Sequence, residues 1–197
     1  MLTQRKITDR RIWQSIQMLF ILALVQLIPL SGYTQDLNAD LIEAVLKNDT
    51  RGIRFLLAKG ADISTRDQIY GRTLLHLAAE KGHKDMVQLL ITNGADVNCK
   101  DEVDDWTPLF FAISRGNIDT VKILITKGAN ISAKAFFDTT PLHLASKRGD
   151  KDMVELLVSK GAELDAKDEI GETPLACAMR CGHTDIAQIL KKFGAGK

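Results

Sequence analysis

Five glycines, Gly60, Gly94, Gly128, Gly161 and Gly194, follow one another at intervals of 34, 34, 33 and 33 residues. Two further series keep the same step: the threonines Thr73, Thr107, Thr140 and Thr173, and the mid-unit glycines Gly82, Gly116, Gly149 and Gly182. Three markers on one period leave little freedom of architecture. A unit of this length cannot bury its own apolar face, so such chains fold by stacking, each repeat completing the core of its neighbours.

The stretch "TPLHLASKRG", from Thr140 to Gly149, shows the local rules. Thr140 has the side chain of a helix N-cap, and Pro141 falls where a helix has no use for its missing N–H. Leu142, Leu144 and Ala145 give that helix an apolar side, with the alanine small enough for a close helical neighbour. Gly149 ends it after about two turns, at a position where positive φ suits glycine. A second helix is predicted over Asp152–Ser159, with Met153, Val154, Leu156 and Leu157 at i, i+1, i+3 and i+4 on one buried face, and Gly161 ends it in turn. The segment "AELDAKDEIGE" then supplies turn residues and a short extended piece before Thr173 and Pro174.

"TPLHLA" from Thr140 to Ala145, "GHKDMVQLL" from Gly82 to Leu90 and "GADVN" from Gly94 to Asn98 resemble the ankyrin repeat. The resemblance runs from about Leu37 to Lys197 and implies five repeats, at about 37–68, 69–102, 103–135, 136–168 and 169–197. Its ends depart from the pattern. Ala39 and Asn48 stand where the first repeat should have its threonine and mid-unit glycine, and Ala176 replaces the histidine of the last. Polar, divergent ends are what capping units need. The fold this implies is all-α, a solenoid of stacked helix-turn-helix units with projecting β-turn fingers. Ankyrin-repeat proteins are generally not enzymes, so the resemblance also implies a rigid concave surface that binds a protein partner, with function carried by the variable positions.

The first 34 residues read as a separate segment. Four bases (Arg5, Lys6, Arg10 and Arg11) precede the apolar run "MLFILALVQLIPL", Met18 to Leu30, and small and polar residues follow it. That is the order of a secretory signal peptide, and the run is shorter than the ~20 residues that span a bilayer as a helix. Cleavage near Thr34 and export to a periplasm or medium is the first expectation, and an uncleaved membrane anchor is the alternative. Residues 35–197 form the repeat domain. The chain is 45% hydrophobic and 26% charged with a formal net charge of +1, which gives no reason to expect a nucleic-acid partner. A monomer that holds one protein is expected, with the membrane involved only if the leader stays.

Two sets of variable positions are candidates for binding. The turns between repeats read "DQIYGRT", "DEVDDWT", "AFFDTT" and "DEIGET", which puts Tyr70, Trp106, Phe136 and Phe137 at or beside exposed fingertips. Large aromatics at a protruding edge suit interface anchors, and the competing reading is local packing of one turn on the next. The second set lies at the exposed end of each first helix: Lys47, Lys81, Arg115, Lys147, Arg148 and Arg180. Such a stripe along the groove would attract an acidic segment. Bases beside a terminal glycine also cap the carbonyl end of a helix, which needs no partner.

Catalytic and metal constellations are weak. By the resemblance, His76 and His143 occupy a framework position that hydrogen-bonds between repeats, and His83 and His183 follow the mid-unit glycine in the same consensus. Cys177, Cys181 and His183 have ligand-like spacing, but Cys177 should face the core and Cys181 the open end of the helix. Three cysteines, with Cys99 in a turn, do not suggest a disulfide framework. Neither a phosphate loop nor a G-x-S-x-G elbow occurs, so no catalytic residue and no cofactor is expected. Asn48 and Asn130 open sequons that matter only in a eukaryotic secretory route.

Overall fold

The computed structural model describes residues 36–196. The leader expected over residues 1–34, with its cleavage or anchoring, lies outside them. Ten α-helices follow in pairs: α1 (Leu37–Leu46) and α2 (Thr50–Ala58), α3 (Leu74–Lys81) and α4 (Lys84–Thr92), α5 (Pro108–Ser114) and α6 (Ile118–Thr126), α7 (Pro141–Arg148) and α8 (Lys151–Ser159), α9 (Pro174–Arg180) and α10 (Thr184–Phe193). Among the described residues no strand forms beyond a single antiparallel bridge between Arg66 and Thr73. The fold is the all-α stack that the period requires. No described helix is long and apolar enough to cross a membrane.

Helix starts follow the capping residues. Thr73, Thr107, Thr140 and Thr173 adopt extended N-cap geometry, and Pro108, Pro141 and Pro174 take the first helical position. Helix α8 begins at Lys151, one residue earlier than predicted, because the Asp150 carboxylate accepts the Met153 amide at 3.1 Å and makes Asp150 the N-cap. Between the helices of the first pair, Asn48 has φ 56°, taking the left-handed turn that glycine takes in later pairs. Asparagine is among the few other residues that visit this region readily.

The first helices of successive pairs pack on one another as an inner layer, and the second helices form an outer layer behind them. Leu75, Leu90, Leu109, Leu124, Leu142, Leu157 and Leu190 are fully buried between the layers. Each such side chain stabilises the fold by roughly 1.5–3 kcal/mol. Ala78, Ala112, Ala145 and Ala178, also fully buried, leave the room that lets inner helices approach closely.

The seam between the third and fourth pairs differs from its two neighbours. Where the second and fourth pairs carry His76 and His143, the third carries Phe110. Phe110 is fully buried and packs in a separate apolar cluster with Ala133, Ala135, Leu144 and Trp106.

Candidate functional site

The buried histidines tie neighbouring repeats together. His76 Nδ1 accepts the Thr73 amide at 2.9 Å, so its proton sits on Nε2, which donates to the Trp106 carbonyl of the next repeat at 2.9 Å. His143 repeats this, accepting from the Thr140 amide at 3.2 Å and donating to the Glu172 carbonyl at 3.0 Å. Burial lowers the pKa of His76 to about 4 and moves His143 in the same direction. Protonating Nδ1 would also set an N–H against the threonine amide. Phe110 cannot take this role, and the fully enclosed Thr107 hydroxyl beside it has no hydrogen-bond partner. His183 caps the carbonyl end of the preceding inner helix, donating to the Lys147 carbonyl at 3.0 Å.

The fingers are built around carboxylates, buried at Asp101 and Asp168 and half-buried at Asp67. Asp67 accepts the amides of Ile69 and Tyr70 at 3.1 and 2.7 Å, Asp101 that of Trp106 at 2.7 Å, and Asp168 those of Ile170 and Glu172 at 3.2 and 2.8 Å. Each carboxylate closes the turn from inside, a common use of Asp in turns. The third finger has Ala135 at this position and closes differently, with Phe137 and Asp138 both left-handed at φ 59° and 56°. A bulky residue in that region is a backbone outlier.

The residue two places after each of these positions faces solvent. Ile69, Val103, Phe137 and Ile170 are 78%, 55%, 53% and 76% exposed. They form one register, since they share the framework spacing. Backbone hydrogen bonds join each finger to the next, from Glu102 to Tyr70 (3.1 Å), Phe136 to Asp104 (2.8 Å) and Glu169 to Phe137 (3.1 Å). The tips thus place one exposed apolar side chain on each finger, an apolar ridge on the repeat period. Tyr70, with the Arg72 guanidinium 4.6 Å from its ring centroid, and Phe136, whose ring centroid lies 4.1 Å from that of Phe137, flank it. Sequence reasoning named Tyr70, Phe136 and Phe137 and missed Ile69, Val103 and Ile170, although an apolar residue recurring at a turn on the repeat period was a readable signal.

Trp106 lies elsewhere. It is half-buried, stacked on Phe110 at 5.8 Å between centroids and edge-on to Phe111 at 5.2 Å. Its ring belongs to the packing beneath the second finger rather than to the ridge.

Most of the bases at the groove are engaged within the chain. Lys47 pairs with Glu43, Arg115 with Glu80, and Arg148 donates to the Ser114 carbonyl. Arg180 grips Glu172 with both Nε and Nη2, at 2.7 and 2.9 Å, and holds that carboxyl below the usual range. Lys81 and Lys147 form no ion pair among the described residues.

The structure gathers a different set of metal-type donors from the one the spacing suggested. Cys181 is exposed, whereas buried Cys177 lies with His143 and Asp168, their donor atoms within 4.8 Å of one another. All three are engaged already: His143 as above, Asp168 by two amides, and the Cys177 thiol donating to Glu172 at 3.4 Å. Burial, helped by Glu172, pushes the Cys177 thiol up to about 11, away from the thiolate a metal would need. A cavity of about 480 Å³ between the starts of α4 and α6 is lined by His83 and Asn117 together with Asp85 and Asp119.

A family model described as ankyrin repeats in three copies matches residues 41–135 and again residues 132–197. No curated protein matches the chain. Ankyrin repeats generally mediate protein–protein interaction and are typically non-catalytic. With paired helices, histidine bridges between neighbours and a match that spans most of its length, the chain belongs to the ankyrin-repeat family.

Proposed function

We propose that this protein is an exported, non-catalytic binding module of five repeats that holds a protein partner along its fingertip ridge. The observation that carries this reading is the row Ile69, Val103, Phe137 and Ile170, four large apolar side chains held in register and in water. Soluble proteins seldom leave contiguous apolar patches uncovered unless they bind something. Phe137 adds weight, because holding an aromatic side chain in a left-handed turn costs about 1–3 kcal/mol that an asparagine or glycine would avoid. Tyr70 and Phe136 widen the contact, and Lys81 and Lys147 extend it to the groove. Export rests on the basic stretch and apolar run of the leader.

The test is site-specific photocrosslinking from position 103 of the full chain in its source cell's envelope and medium, beside a Phe136→Ser, Ile170→Ser double variant. Capture of one protein by the native ridge and its loss in the variant is the expected result. Equal capture by both would overturn the ridge assignment. Intact mass after membrane fractionation tests export: loss of about the first 34 residues is expected, and a full-length, membrane-bound chain would replace export with anchoring.

A further inference from the structure

Four of the five described outer helices share a charge pattern that the first of them breaks. At their second residue α4, α6, α8 and α10 carry Asp85, Asp119, Asp152 and Asp185, an acid where the helix dipole favours one. Helix α2 carries Arg51 there, and its first turn holds no acid. Arginine at a helix start works against the dipole, so the fold gains nothing from it. A local rule broken in one repeat and kept in the other four points to a use outside the fold.

The surroundings of Arg51 show what that use requires. Arg51, Arg54 and Lys59 are exposed and form no ion pair among the described residues. At 3.6 residues per turn they share one side of α2 with Phe55 and Ala58, opposite the buried Ile53 and Leu56. Phe55 is 58% exposed, whereas Leu89 at the same place in α4 is 6% exposed and Ile123, Leu156 and Ile189 in the later outer helices are half-buried. The Lys59 ammonium lies 4.4 Å from the Phe55 ring centroid, and the Asp49 carboxylate at the helix start is engaged by the Gly52 amide at 2.9 Å. Elsewhere in the outer layer the bases meet acids of their own helix, Lys122 with Asp119 and Lys151 with Glu155. Helix α2 instead presents three bases around an exposed ring.

That combination is the chemistry of a helix lying on a bilayer surface, where the ring enters the acyl boundary and the basic heads stay among the phosphates. Position in the chain favours a lipid surface over an acidic protein segment. In both readings of the leader, cleaved during export or kept as an anchor, the apolar run meets a bilayer. Only seven residues, at most about 25 Å of chain, lead from its end at Leu30 to Leu37 at the start of the first repeat. The basic face thus belongs to the repeat that the sequence ties most closely to the membrane-directed run.

We propose that the outward face of α2 binds anionic phospholipid headgroups, with Arg51, Arg54 and Lys59 on the phosphates and Phe55 dipped between them. This surface is independent of the fingertip ridge. The experiment places photoreactive benzoylphenylalanine at position 55 of the full chain and, in a second sample, at position 188, which is exposed on α10. Each is irradiated with vesicles of phosphatidylcholine, alone or with about three parts in ten of phosphatidylglycerol, and lipid adducts are read by intact mass. The leader is present in every sample, so the comparison between positions reads the face alone. The expected result is an adduct at position 55 that rises about fivefold or more with phosphatidylglycerol and falls again in high salt, with little at position 188. Arg51→Asp restores the acid of the other four helices, so it should lower the adduct about fivefold or more while the melting temperature holds or rises. No adduct at position 55, equal yields at 55 and 188, indifference to phosphatidylglycerol, or an unchanged yield in Arg51→Asp would overturn the proposal. Arg51-dependent binding of a labelled polyglutamate peptide without any lipid adduct would assign the face to an acidic protein segment instead.

Discussion

Replacing Phe137 by asparagine should make the protein more stable and its ridge weaker. Phe137 sits at φ 59° and ψ 30° and is 53% exposed. An L-residue in that region carries about 1–2 kcal/mol of steric cost that asparagine largely escapes. Against this stands the ring pair with Phe136, worth about 0.5–1.5 kcal/mol when well packed and near the lower end here, since both rings are more than half exposed. Relief of the backbone wins, so Phe137→Asn should gain about 1 kcal/mol and raise the melting temperature by about 2–4 °C. Thermal and urea denaturation read the gain, and photocrosslinking from position 103 reads the loss of capture. A fall of 2 °C or more would mean that the ring pair contributes more than the turn costs, and the inference from strain to function would fail.

Trp106→Ala should cost about 2 kcal/mol, roughly half the value for a fully buried aromatic, and lower the melting temperature by several degrees; an unchanged melt would put the ring back in solvent. Gly128→Val should cost about 1–3 kcal/mol in urea denaturation, all of it from the backbone, because φ is +92° and nothing lies within 4 Å of the added Cβ. Thr107→Val should be neutral or stabilising by about 1 kcal/mol, since it removes an orphaned hydroxyl, whereas Thr140→Val strips His143 of a partner and should destabilise; equal losses at both sites would refute the contrast. Acid should act through the histidines. The folded pKa of His76 lies near 4 and the unfolded one near 6.5, so the unfolded chain takes up the proton first. The stability is fully present above about pH 6.5 and falls as pH drops towards 4, by up to about 3 kcal/mol, with His143 adding in the same direction. Urea midpoints measured from pH 7 to 4.5 should decline through this window, and a flat profile would refute it.

Helix pairs were legible because each is punctuated locally: threonine and proline open the first helix, and glycine closes both. The start of α8 falls one residue earlier than predicted because Asp150 caps it, a role the apolar spacing alone does not reveal. Trp106 could be placed at a finger from its position before Thr107, but not its direction. That depends on Phe110 and Phe111 making an apolar bed underneath, which in turn follows from phenylalanine replacing a bridging histidine. The aromatic tips were found by size. The aliphatic ones, Ile69, Val103 and Ile170, were not named, and their exposure follows from the turn geometry that points this position outward. The groove bases depended on partners in other repeats or later turns: Arg115 meets Glu80, and Arg148 meets the Ser114 carbonyl, across a stacking register no single repeat encodes.

Of the four joints between the five described helix pairs, His76 and His143 bridge two, and Phe110 fills the one between those. Within the pairs bridged by His76 and His143, cohesion is set by proton activity. At the junction between them, where Phe110 meets Ala133, Ala135 and Leu144, no histidine bridges the repeats and the apolar contact weakens on cooling. In a linear array each joint contributes separately. Acid therefore acts first at the two histidine-bridged joints, whereas cold bears on the apolar line between them. Val103 and Phe137 stand on either side of that line, so whatever lies across both of them clamps it shut.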